Sequence, residues 1–139
     1  MNHTPNAAVI DLDPLSRSQR SFLNLAMRAA EASDCHQRHG AIVVRSGSVL
    51  SIGTNKWRND ISTAGILHDQ GRSMDISIHA EVDALSRVAN PRGATIYIAR
   101  VNRTGKARLS KPCINCAKAL KKAGVSKIVY TLNDDDMFV

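Results

Sequence analysis

Aromatic residues are scarce, at 4% of 139 residues, so any core built from this chain must be mostly aliphatic. The three cysteines are odd in number and thinly spread, which argues against a disulfide framework. Two of them, Cys113 and Cys116, form a C-x-x-C, which in a reducing compartment reads as metal or redox chemistry. No basic flank followed by an apolar stretch marks a secretory signal, and no run approaches the roughly 18 apolar residues of a membrane span. The expected location is therefore the cytoplasm, with no membrane partner. Acidic residues are outnumbered 12 to 19 by Lys and Arg, for a formal charge of +7. That balance favours anionic partners, whether nucleotides or nucleic acid, although a basic surface without a specific partner has the same composition.

No internal repeat, low-complexity tract or linker divides the chain, and residues 1–139 read as a single domain whose first 14 residues form a loose leader. From about Leu15 to Ala32, Phe22, Leu23, Leu25, Ala26, Ala29 and Ala30 make one apolar helical stripe. Ala41–Val44 and Val49–Ile52 predict a β-hairpin around Ser46-Gly47-Ser48. The segment from Thr54 to about Ser77 has no clear period and predicts a long loop. A short helix is expected from Ile78 to about Val88, ended by Asn90-Pro91-Arg92-Gly93. Ala94–Ala99 predicts a buried strand. Pro112 is expected as the first residue of a third helix capped by Gly124, and Val125–Thr131 as a last strand. The alternation after residue 78 implies neighbouring parallel strands joined through helices. An α/β sandwich, with helices packed on the sheet faces, accommodates this order.

His79-Ala80-Glu81 stands at one helix start and Pro112-Cys113-Ile114-Asn115-Cys116 at another. A catalytic zinc takes three protein ligands and keeps one open position, and one imidazole with two thiolates makes such a set. A helix start also favours the thiolate form. Glu81, two residues from His79, cannot reach the metal from the same side and is free to move protons instead. Zinc lowers the pKa of a water from 15.7 to about 7, and one carboxylate then serves as both base and acid in a hydrolytic deamination.

His79-x-Glu81 with Pro112-Cys113-x-x-Cys116 matches the signature of zinc nucleobase deaminases. On these residues the chain resembles the cytidine-deaminase superfamily over roughly residues 19–131. His79, the run Pro112–Leu120, Ala123-Gly124-Val125 and Ile128-Val129-Tyr130 are most similar to its deoxycytidylate-deaminase branch. The resemblance implies a three-layer α/β/α fold with a mixed sheet and helices on both faces. It also implies one zinc per chain on His79, Cys113 and Cys116, with Glu81 as the catalytic residue. Gly53-Thr54-Asn55 is similar to the family's G-x-N, which implies that Asn55 contacts the substrate sugar and that the Ala80 amide contacts the base. Lys56 and Arg58 follow Asn55, and Arg72 lies at the far end of the same loop, within reach of a phosphate on that sugar. A small nucleotide, dCMP converted to dUMP, is the expected substrate, and a homo-oligomer the expected assembly.

Other readings stand beside this one. Glu81–Leu85 with Gly93–Tyr97 is also similar to the pyrimidine deaminase of riboflavin synthesis. The same site serves editing of cytosine or adenosine in single-stranded nucleic acid, but the basic residues here are not interleaved with stacking rings. A non-catalytic, zinc-stabilised module would need a fourth ligand, for which Cys35 and His36 are candidates. Trp57 reads equally as a base-stacking ring or a packing anchor.

Overall fold

The computed structural model describes residues 8–10, 15–57 and 77–133. Five strands form the main path of a mixed sheet: β1 (Ala8–Ile10), β2 (Arg38–Arg45), β3 (Ser48–Thr54), β6 (Thr95–Val101) and β8 (Lys127–Tyr130). Their order is β1-β8-β6-β2-β3, and β7 (Ala107–Arg108) pairs beside β6. β6 runs antiparallel to β2 but parallel to β8, as the helical crossover between β6 and β8 predicts. Ala8–Ile10 lies within the segment expected to be a loose leader, yet it pairs in parallel with β8. The pairing uses backbone N–H and C=O groups that the edge of β8 presents.

Side chains alternate cleanly across this sheet. Ala41, Val43, Ile96, Ile98, Ile128 and Tyr130 face one core, while Ile42, Val44, Tyr97, Ala99 and Val129 face the other. The second core is covered by α1 (Arg17–Glu31) through Leu23 and Ala26. The first is covered by α2 (Ala80–Ser86) through Ala80 and Ala84, and by α3 (Ile114–Ala123) through Leu120. Helices therefore lie on both faces, giving the three-layer α/β/α arrangement.

Local chemistry sets each element. Ser16 and Gln19 form a reciprocal capping box at the start of α1. β2 and β3 are joined by Ser46 and Gly47 at φ 53° and 77°, the doubly left-handed turn that suits a two-residue hairpin. Gly40 and Gly53 let helices approach from opposite sides: a β carbon on Gly40 would lie 2.3 Å from the Ala26 carbonyl oxygen. Gly124 ends α3 at φ 90°, as expected. Pro112, expected inside that helix, instead precedes its N-cap, Cys113. Among the described residues no helix is long and apolar enough to cross a membrane.

Candidate zinc and catalytic site

α2 and α3 lie on the same face of the sheet, and their N-terminal caps are His79 and Cys113. This brings together His79, Cys113 and Cys116, whose donor atoms all lie within 4.8 Å of one another. His79 Nδ1 is 3.1 Å from Cys116 Sγ and 4.0 Å from Cys113 Sγ. Tetrahedral zinc with ordinary Zn–S and Zn–N bonds needs nitrogen–sulfur separations of about 3.5 Å, so the donor set fits that ion with minor adjustment. The backbone N–H of Cys116 donates to Cys113 Sγ at 3.4 Å, which fixes that sulfur at the start of α3. Cys35 and His36 lie outside this cluster among the described residues, so neither supplies the fourth ligand that a closed structural site requires.

Glu81 sits in the first turn of α2, 5% exposed, with its carboxyl against Cys116. Burial raises its pKa above the usual carboxylate range, partly offset by its own backbone N–H, His79 and the Cys116 thiol. Burial also pushes the Cys116 thiol well up, and the Glu81 charge adds to the effect. A carboxyl whose pKa is lifted toward neutrality is suited to taking and returning a proton.

A cavity of about 430 Å³ opens beside these groups, bordered by His79, Ala80, Glu81, Cys113 and Asn55. Asn55 is buried, and its side chain holds the approach to β2 in shape. Its Oδ1 accepts from Ser33 Oγ at 2.6 Å and from the His39 amide at 2.8 Å, while Nδ2 donates to the Gln37 carbonyl at 2.6 Å. This pattern fixes the amide's orientation and leaves one Nδ2 hydrogen for a ligand. Two short strands, β4 (Lys56–Trp57) and β5 (Ser77–Ile78), pair antiparallel and set the residues after Asn55 beside those before His79.

Lys56, expected near a substrate phosphate, does not border the cavity. Its Nζ lies 3.4 Å from Asp83 Oδ2, drawn there by a carboxylate that is 9% exposed. Asp83 also accepts from the Thr54 amide at 3.1 Å and from Arg87 at 3.4 Å, tying α2 to the end of β3. Arg58, His68, Arg72 and the Trp57 side chain lie outside the described residues, as does the acidic run 134–136.

Ser110, Lys111 and His39 also border the cavity, although their sequence positions give no signal of it. Ser110 Oγ donates to the Ile98 carbonyl at 2.8 Å, and the Thr131 amide donates to Ser110 Oγ at 2.9 Å. The stem leading to Cys113 is thereby anchored to β6 and to the end of β8. Burial lowers the pKa of the His39 imidazole, against a hydrogen bond with the Gln37 carbonyl and with help from nearby Arg100 and His79.

The family described as the cytidine and deoxycytidylate deaminase zinc-binding region matches residues 16–132. The chain belongs to that family. The chain is therefore a zinc-dependent hydrolytic deaminase, and the His/Cys/Cys cluster has the donors to hold its metal. No curated protein sequence matches the chain. Among solved structures, the deaminase resembles the dCMP deaminase of cyanophage S-TIM5, determined in complex with dCMP and dUMP. The TM-score is 0.61 at 23% identity, over 84% of this chain and 82% of that one. Acinetobacter baumannii RibD matches at TM-score 0.55 and 21% identity, over 82% of this chain but 28% of RibD. Guanine deaminase of Bacillus subtilis matches at 0.52 and 20% identity, over 88% of this chain and 68% of that one. At these identities the likenesses establish the shared fold.

Proposed function

We propose that this deaminase converts a cytosine nucleotide, dCMP, to dUMP with release of ammonia. The observation that carries the reading is the buried Glu81 carboxyl, which borders the cavity beside a three-donor zinc site. Among the described residues it is the only carboxylate on the cavity wall. Zinc, when bound to His79, Cys113 and Cys116, supplies an acidified water.

Glu81 would take a proton from such a water as the water oxygen bonds to C4 of the ring. The same carboxyl passes that proton to the ring nitrogen, then moves the hydroxyl proton from C4 to the departing amine, so that the C4–N bond breaks, C4 keeps a carbonyl oxygen and ammonia leaves. The Ala80 amide, first in α2, contacts the base. Asn55 directs its remaining amide hydrogen to the sugar. A cavity of about 430 Å³ lies in the range of small-ligand sites and suits one nucleotide better than a long strand. The likeness to a dCMP deaminase that holds dCMP and dUMP supports the same choice.

The test is ammonia release by the zinc-loaded chain from dCMP, deoxycytidine, CMP, GMP, guanine, adenosine and a cytosine-containing oligodeoxynucleotide. dCMP is expected to be turned over fastest. Faster turnover of the oligonucleotide would favour editing of single strands. Preference for a purine, or no ammonia from any of these, would overturn the dCMP reading.

A further inference from the structure

Of the lysines and arginines among the described residues, Lys111 alone borders the cavity. Its amino group has no hydrogen-bond or ion-pair partner among those residues, whereas the ammonium of Lys56 is held at Asp83. The backbone on either side of Lys111 is fixed. The Ser110 amide donates to the Thr131 carbonyl at 3.0 Å, the Leu109 amide to Asn133 Oδ1 at 3.1 Å, and Cys113 caps α3 two residues later. Ordering this lysine on a ligand therefore costs only its own side-chain rotamers and no loop freedom.

We propose that Lys111 holds the anionic phosphate of the substrate and makes this site specific for a nucleotide over a nucleoside. The assignment rests on the reading of the cavity as a nucleotide deaminase site and names the residue that selects within it. Of the other chargeable groups on the wall, the buried Glu81 is committed to protons and the exposed His79 to the metal. His36 also borders the cavity and, as an exposed imidazole, offers a second donor at most. A phosphate dianion entering with the base turned toward Glu81 meets one permanent cation on the described wall, and that cation is Lys111.

The experiment is calorimetric binding to the full, zinc-loaded chain carrying Glu81→Gln, so that no ligand is consumed. The probes are dCMP, deoxycytidine and inorganic phosphate. Each is measured in that background and with Lys111→Met, Lys111→Arg or Lys56→Met added. A charge-assisted contact of ordinary strength predicts that Lys111→Met weakens dCMP binding by about ten- to hundredfold. Deoxycytidine should bind unchanged, and Lys111→Arg should restore most of the loss. Lys56→Met should leave the ratio of dCMP to deoxycytidine affinity as it was. Added salt should weaken dCMP binding in the parent but not with Lys111→Met.

Equal affinity for dCMP and deoxycytidine in the parent would overturn the assignment, as would a ratio that Lys111→Met leaves unaltered. If neither cytosine ligand binds but inorganic phosphate does, and loses affinity with Lys111→Met, the anion subsite stands and the choice of cytosine falls. If none of the three binds, both fall.

Discussion

Gly53 lies so close beneath α2 that a β carbon there would sit 2.4 Å from the Ala84 amide nitrogen and 2.7 Å from the Ala80 carbonyl oxygen. Ser51 reinforces the contact by donating to the Ala84 carbonyl at 2.8 Å. The helix pressed onto β3 in this way carries Glu81 and begins at His79. Gly53→Ala should therefore cost about 1–3 kcal/mol in unfolding free energy and also weaken zinc retention against a chelator. Gly47→Ala meets no neighbouring atom but keeps a left-handed backbone, at about 1–2 kcal/mol. It should leave zinc retention intact. Equal zinc loss in both variants would show that the approach of α2 to β3 does not position the site.

Ser110→Ala removes a hydroxyl that donates to Ile98 and accepts from the Thr131 amide, in a position 3% exposed. Leaving those buried groups under-satisfied costs about 1–3 kcal/mol. The same hydroxyl anchors the stem of Cys113, so chelator competition should also show lower zinc affinity. A variant that loses stability while holding zinc as tightly as the parent would confine Ser110 to a folding role.

The site was legible where its groups are close in sequence. The C-x-x-C spacing and the H-x-E spacing each sit at one helix start, and periodicity placed both helices. The hairpin was legible because Ser46-Gly47 accepts the left-handed turn. Groups brought in by the sheet were not. Ser110 meets Thr131 and Ile98 through strand pairing at long separation, and nothing local distinguishes Lys111 from the other cations before Pro112. The pairing of Lys56 with Asp83 is illegible for the same reason: Asp83 lies on α2 and becomes a neighbour only when β3 packs there. The two-residue strands β4, β5 and β7 are too short to leave a period of their own.

Glu81→Gln should bind one zinc per chain and keep the fold, yet lose turnover by about 10²–10⁴-fold or more. The amide preserves shape and can still hydrogen-bond, but it cannot accept and return a proton. Metal analysis, thermal unfolding and ammonia release on the preferred substrate check the three parts separately. Near-normal turnover would remove Glu81 from the proton transfers.

The buried Cys116 thiol couples zinc loading to pH. Its pKa stands above the ordinary thiol value of 9.0, first because of burial and next because of the Glu81 charge. In the metal-free chain the folded state thus holds this proton to higher pH than the unfolded state does. The contribution to metal-free stability is complete below the ordinary thiol range and is lost as pH rises beyond it. Zinc binds the thiolate, so the ion must displace the proton at neutral pH. Zinc affinity should therefore rise by about tenfold per pH unit for each proton displaced. Chelator competition at about pH 6 and pH 8 measures that slope, and proton release in weakly buffered zinc titrations gives the stoichiometry directly. In the metal-free chain, stability should fall between about pH 9 and the alkaline limit of folding, and the zinc-loaded chain should not share that loss. A pH-independent zinc affinity would mean that Cys116 is already ionised before the metal arrives.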